Sequence, residues 1–165
     1  CGRDMNDKLR AGIGFDAHSL VPGRCLVLGG VEIPFDRELS GWSDADALTH
    51  AIIDALLGAA ALGNIGGHFP PGDPEYQDIS SLVLLAKTAD ELAKNSWRVN
   101  NVDATIVAEK PTLKDFIDPM RRQLSWTLGI DIDQVSVKAS TADRLGFIGR
   151  SEGIAVYTIA TVEKI

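Results

Sequence analysis

Three kinds of residue are scarce in this chain, and each scarcity excludes something. Its 165 residues hold only two cysteines, Cys1 and Cys25. They build no disulfide framework and suit a reducing compartment. No uninterrupted apolar run reaches the ~18 residues of a membrane span. The best stretch, 51–62, is broken by Asp54 and Gly58, so no membrane partner is expected. Basic residues are outnumbered, and the formal net charge is −7. That balance argues against a nucleic-acid partner, although a local basic pocket can still hold phosphates. The first ten residues are polar and of mixed charge, unlike a secretory signal, and Met5 is a candidate native start. Repeats, low-complexity tracts and linkers are also missing. Length and uniformity together predict one domain over 10–165, behind a tail at 1–9. Histidine is the third scarcity: only His18, His50 and His68 occur.

The patterning predicts an α/β (α+β) fold: a mixed four- to five-stranded sheet covered by helices. Strands are expected at 10–17, 25–28, 31–33, 99–108, 135–139 and 154–162, with Gly29-Gly30 as a hairpin turn. The alternation Val102, Ala104, Ile106, Ala108 puts one face of its strand in the core. Helices are expected at 43–62, 79–95 and 113–128. Ser43 and Asp46 resemble a capping box, and Gly63 is a natural stop. Residues 64–78 are rich in Gly and Pro and read as a long loop, of the kind that carries function or moves.

Two of the three histidines sit where metal chemistry is plausible. Asp16 and His18 follow the apolar run Ile13-Gly14-Phe15, and residues two apart on a strand share a face. His50, on the first long helix, would complete one carboxylate and two imidazoles. That set suits a divalent metal of the zinc kind and leaves a fourth position open. On the same helix Asp46, His50 and Asp54 form a polar stripe. It reads either as a solvated ion-pair face or as a ligand His with an acidic partner that fixes its tautomer. Taken alone, Asp-x-His also fits a turn Asp and a surface His.

An ordered series of motifs adds context. Gly14-Phe15-Asp16-Ala17-His18 comes first, then Leu28-Gly29-Gly30-Val31, Ser43-Asp44-Ala45-Asp46 running into His50, and the segment Asp54 to Gly63. Phe69-Pro70, Asn101-Val102-Asp103, Lys138-Ala139-Ser140-Thr141 and the segment Leu145 to Arg150 follow. From about Arg10 to the C-terminus the chain resembles the 2-C-methyl-D-erythritol 2,4-cyclodiphosphate synthase family, of the non-mevalonate isoprenoid pathway.

The resemblance implies a homotrimer with active sites between neighbours, in a bacterial cytoplasm or a plastid stroma. It implies an intramolecular phosphoryl transfer on 4-diphosphocytidyl-2-C-methyl-D-erythritol 2-phosphate, with release of CMP. The 2-phosphate is already an anion, so folding the substrate and neutralising phosphate charge are the main tasks. Asp16, His18 and His50 become ligands of zinc. Asp143, where the family usually has Glu, becomes the ligand of a second divalent cation, magnesium or manganese. Ser43, Thr141 and Asp143 are the implied catalytic residues. Ser140 and Thr141 are placed at the diphosphate. Ala108, Thr112, Leu113 and Lys114 are placed at the cytidine, with Thr112 standing where Lys is usual. Trp42, Ser43, Asn64, Ile65, Gly66, Phe69 and Asp73 are placed along the rest of the substrate. Phe147 and Arg150 are placed near the trimer axis, where some members hold an isoprenoid diphosphate; an Arg150–Glu152 network is the alternative.

Three departures fall near the implied substrate. Trp42 replaces a usual His and keeps a single N–H donor. Asn64 replaces a usual Asp and loses its charge. Pro71 replaces an acidic residue, while Asp73 is kept. None touches an implied zinc ligand. Two rival activities follow from the same residues: a zinc phosphohydrolase using the open metal position, and a non-catalytic homologue binding nucleotide or isoprenoid diphosphates.

Overall fold

The computed structural model describes residues 8–165. The expected start at Met5 and most of the expected tail lie outside the described residues. Strand β1 (Leu9–Pro22) is the spine of the domain. It pairs antiparallel with β7 (Gly153–Lys164), the last strand, from Leu9↔Glu163 to Ser19↔Gly153. Strand β5 (Trp97–Val107) lies antiparallel on the far side of β7. Strand β6 (Val135–Ser140) runs parallel to β5, and the three-residue β4 (Arg37–Leu39) caps the other edge. The sheet order is β4-β1-β7-β5-β6, five strands and mixed. A separate hairpin, β2 (Cys25–Leu28) and β3 (Val31–Pro34), turns through Gly29 and Gly30 at φ 59° and 72°. Both angles are those of a tight hairpin turn that glycine adopts without steric cost.

Three helices cover one face: α1 (Ala47–Ala59), α3 (Ser81–Lys94) and α4 (Ile117–Leu128). Short helices α2 (Ile65–His68) and α5 (Gly146–Gly149) sit in connections. The core lies between this face and the helices, around Leu48, Ile52, Leu56, Leu85, Ile106 and Val156, all fully buried. Helix α1 lies directly on β1 because Gly12 and Gly14 give it no side chains to climb over. A Cβ at Gly14 would fall 1.9 Å from the Ala51 carbonyl oxygen, and one at Gly12 2.1 Å from that of Ala55. The even positions around Gly12 and Gly14 therefore face α1, and Asp16 and His18 follow them on that face. The odd positions from Leu9 to Ser19, Ile13 and Phe15 among them, are exposed together with Tyr157 and Ile159 of β7.

Several expectations need correction. The first helix starts at Ala47, not residue 43, because Asp46 is its N-cap and accepts from the Thr49 N–H. Ser43 makes no capping box; its hydroxyl turns to His50. The stretch 64–78 is not wholly loop: Asn64 caps α2, and Asp73 caps a single 3₁₀ turn at Pro74–Tyr76. The third helix begins at Ile117 rather than 113. Among the described residues no helix is long and apolar enough to cross a membrane.

Candidate metal centre and substrate pockets

Strand β1 and helix α1 bring Asp16, His18 and His50 to one point. Asp16 Oδ2 lies 2.7 Å from His18 Nε2 and 3.3 Å from His50 Nδ1. The two imidazole nitrogens are 3.4 Å apart. All three side chains are partly buried, and among the described residues they form the one cluster of three potential metal ligands. The far nitrogen of His18, Nδ1, lies 2.8 Å from the Ser40 carbonyl oxygen. A carbonyl only accepts, so in neutral His18 the proton sits on Nδ1 and the Nε2 lone pair faces Asp16. Asp16 Oδ2 is then a buried acceptor with no donor, an arrangement that costs free energy unless a cation or proton fills it. The acid–base balance shows the same pull. Burial pushes the His18 imidazole down, but the Asp16 carboxylate outweighs it and leaves its pKa raised. Burial pushes Asp16 up, yet the two imidazoles beside it, His18 and His50, outweigh that and leave it lowered. One carboxylate oxygen and two imidazole nitrogens converging on such an oxygen fit a divalent cation of the zinc kind.

The acidic stripe on α1 divides three ways. Asp46 does not serve His50. It is fully buried, and its carboxylate accepts from Gly29 N, Gly30 N, Thr49 N and Thr49 Oγ1. Asp54 accepts from Ile65 N at 2.7 Å and so fixes the start of α2. His50 Nε2 instead meets Ser81 Oγ at 2.8 Å and Ser43 Oγ at 3.1 Å. Ser81 escaped the sequence reading. It lies at the head of α3, and nothing in its local pattern distinguishes it from an ordinary helix start.

The candidate metal cluster opens onto a cavity of about 280 Å³, lined also by Trp42, Ser43, Ile65, Gly66 and Phe69. These five were expected near substrate. Pro71 is at its rim as well. Trp42 is held there by its indole N–H, which donates to the Asp73 carbonyl at 3.0 Å. Asn64 and Asp73 stand just outside the lining. Each spends a side-chain oxygen on a cap, Asn64 on Gly67 N and Asp73 on Glu75 N.

A second cavity, of about 390 Å³, gathers Ala108, Thr112, Leu113, Lys114, Ser140 and Thr141. All six were expected at the nucleotide and diphosphate. Glu109, within the expected segment 108–114, lines it too. Glu109 accepts from Ala142 N at 3.1 Å and Arg144 N at 3.0 Å. It thereby holds a loop in which Asp143 and Arg144 take left-handed backbone, φ 50° and 65°. Asp143 is exposed on that loop, away from the first cluster.

The two cavities share no lining residue within one chain. Asp16, Val156, Ile106 and Ala139 lie in one row across the sheet, so β1 and β6 are about 14 Å apart, three inter-strand spacings. Ser140, next along β6, faces the opposite side from Asp16. Phe147 and Arg150 are exposed at α5, where the Arg150 guanidinium pairs with Glu152 at 2.9 Å. That pairing lowers the Glu152 carboxyl pKa.

Comparison with known proteins agrees with this geometry. The model of the YgbB family matches residues 9–163. A 2-C-methyl-D-erythritol 2,4-cyclodiphosphate synthase of Dehalococcoides mccartyi is 57% identical over 94% of this chain and 99% of its own length. Among solved structures, the bifunctional IspDF of Campylobacter jejuni superposes with a TM-score of 0.92 at 37% identity. It covers 96% of this chain and 43% of that longer one. An IspF from Plasmodium falciparum, in complex with CDP, gives 0.83 at 29% identity, over 97% of this chain and 99% of its own. With three ligand atoms converging beside one cavity and the expected nucleotide residues lining another, the chain belongs to the YgbB family.

Proposed function

We propose that the chain converts 4-diphosphocytidyl-2-C-methyl-D-erythritol 2-phosphate to 2-C-methyl-D-erythritol 2,4-cyclodiphosphate and CMP. An oxygen of the 2-phosphate bonds to the β-phosphorus. The bond from that phosphorus to the α–β bridging oxygen breaks, and CMP carries the bridging oxygen away. The observation that carries this reading is the cluster of Asp16, His18 and His50 around a donorless carboxylate oxygen at the mouth of a cavity. Relatives named for this activity at more than half identity support it.

Asp16, His18 and His50 would hold zinc, and Asp143 a second divalent cation, magnesium or manganese. Bound there, the ions supply Lewis-acid neutralisation of phosphate charge. The chain's own residues do the rest. Ser43 offers a hydroxyl beside the cluster. Ile65, Gly66 and Phe69 enclose the methylerythritol end in apolar surface, which excludes water and protects the cyclisation from hydrolysis. Backbone groups of 108–114 and the Lys114 ammonium take the cytidine end, as the CDP complex of the Plasmodium relative supports. Ser140 and Thr141 present hydroxyls to the diphosphate. The distance between the two cavities supports a site made by two chains of a homotrimer, the metal ligands from one and the nucleotide residues from its neighbour. Phe147 and Arg150 then lie where a central cavity would take an isoprenoid diphosphate. We assign the protein to the bacterial cytoplasm or plastid stroma, which its low cysteine content suits.

Product analysis tests this reading. Incubation with the substrate yields CMP and cyclic diphosphate in equal amounts and no open-chain hydrolysis product. His50→Ala lowers zinc content and slows turnover by at least ~100-fold, the scale of a lost Lewis acid. Hydrolysed methylerythritol phosphates as the main product, or full zinc content in the variant, would overturn it.

A further inference from the structure

We propose that Asp44 and Ser81 form a positioning relay that fixes the tautomer of His50, with its proton on Nε2 and the Nδ1 lone pair turned toward Asp16. The inference rests on the metal reading of the cluster above. Its ground is a count of donors and acceptors. Asp44 accepts from Ser81 N at 2.9 Å through Oδ2, and from Asp46 N at 3.2 Å and the Ser81 hydroxyl through Oδ1. A serine hydroxyl has a single proton, and a carboxylate can only accept it. The Ser81 proton is therefore committed to Asp44, and Ser81 Oγ shows only lone pairs to its other neighbour.

That neighbour is His50 Nε2, 2.8 Å away. If Nε2 were unprotonated, two lone pairs would oppose each other at hydrogen-bond distance in a buried site, where Ser81 has no exposed surface. The proton must lie on Nε2, donated to Ser81 Oγ and shared with Ser43 Oγ at 3.1 Å. The other tautomer would require the Ser81 hydroxyl to leave the carboxylate, the stronger of its partners. His18 is set in the opposite sense by the Ser40 carbonyl. One histidine thus presents Nε2 and the other Nδ1, and both lone pairs meet Asp16 Oδ2. The relay joins the 40–46 segment, α1 and α3, so the docking of α3 reaches the metal ligands through one hydroxyl.

Two readouts test the relay. The first is ¹⁵N NMR of the histidine rings in metal-free protein at a pH where they are neutral. His50 is expected as the Nε2–H tautomer in wild type and Ser81→Thr, which keeps the hydroxyl, and as a mixture in Ser81→Ala. The second is zinc affinity of folded protein by chelator competition. Ser81→Ala is expected to weaken it ~10–100-fold, as lost support of a ligand histidine does, with Ser81→Thr close to wild type. Asp44→Asn frees the Ser81 proton to turn toward His50 and should shift the tautomer in the same direction. This second variant decides the matter if Ser81→Ala does not fold. A wild-type Nδ1–H tautomer, or a folded Ser81→Ala with unchanged zinc affinity and tautomer, overturns the proposal; a lower melting temperature alone would mean a merely structural role. Failure of the metal reading is distinguishable, because wild-type protein would then bind no zinc while the tautomer is still read without metal.

Discussion

Asp44 and Asp46 stand two residues apart and do unrelated work. Asp44 orients a serine beside a histidine. Asp46 ties the head of α1 to the β2–β3 turn through Gly29 N, Gly30 N, Thr49 N and Thr49 Oγ1. Burial pushes the Asp46 carboxyl pKa up, and the backbone donors only partly offset this. Asp46→Ala leaves those donors without an acceptor. At about 1–3 kcal/mol for each buried unsatisfied group, with water reaching some of them, a loss of ~3 kcal/mol is expected. A lowered urea midpoint with unchanged slope would show it. Trp126→Ala, at a side chain 86% exposed, should stay within ~0.5 kcal/mol. These two aspartates also mark how far single residues are legible in sequence. Helical spacing placed Asp46, His50 and Asp54 on one helix but could not say which neighbour each would meet. The partner of His50 came from α3, and that of Asp46 from a hairpin turn. Asp16 and His18 were legible because a strand's period of two is enough to aim them together.

At the scale of elements, the contact of β1 with α1 decides the site. Gly14 is two residues before Asp16, and Ala51 is the residue after His50. A Cβ on Gly14 would meet backbone on both sides, 1.9 Å from the Ala51 oxygen and 2.8 Å from the Ala55 nitrogen. Neither can turn aside as a side chain would, so α1 must move off the strand and take His50 with it. Gly14→Ala is expected to cost ~3 kcal/mol of stability, the upper range for overpacking a core. Zinc affinity of the folded fraction should fall more than ~10-fold, because a ligand is displaced on the ångström scale. Gly12→Ala should cost similar stability, with the smaller metal effect expected one turn farther along α1. Denaturant melts with chelator competition separate the two outcomes; equal metal loss in both variants would count against the argument.

Element type was largely legible and element length was not. The first strand runs on to Pro22 because β7 and β4 pair with it, and pairing is invisible to periodicity. The first helix is shorter than its apolar pattern because Asp46 caps it at Ala47. β4 is three residues long and carries no pattern. The glycine-rich stretch after Gly63 hid α2, which depends on the Asn64 cap and on Asp54 from another helix.

At the scale of the whole molecule, the described residues form a sheet with one covered face and one bare one. Ile13, Phe15, Tyr157 and Ile159 are 71%, 50%, 51% and 55% exposed, with Phe15 and Tyr157 rings 5.1 Å apart. A contiguous apolar strip of this kind is a surface for association. Composition gave no sign of it, because these residues became an exposed strip only once the facing direction of β1 was known. Under the proposed trimer the strip is covered by sister chains, and wild-type protein should sediment at three times its 17.7 kDa chain mass. Ile13→Asp should shift it toward one chain. Zinc binding should survive, since Asp16, His18 and His50 share a chain, while turnover is lost with the neighbour's nucleotide pocket. Mixing tests the shared site directly. Under the proposed site, His50→Ala loses a metal ligand and Thr141→Ala a diphosphate contact, so each alone should be nearly inactive. In a closed ring formed from equal parts of both, a site is intact where a Thr141→Ala chain supplies the ligands and a His50→Ala chain supplies the pocket. Random pairing makes roughly a quarter of sites intact, so activity should recover toward a quarter of wild type after denaturing and refolding the mixture. If each site lay within one chain, no mixture would recover any activity, and mass spectrometry of the mixed rings would show that the chains had exchanged.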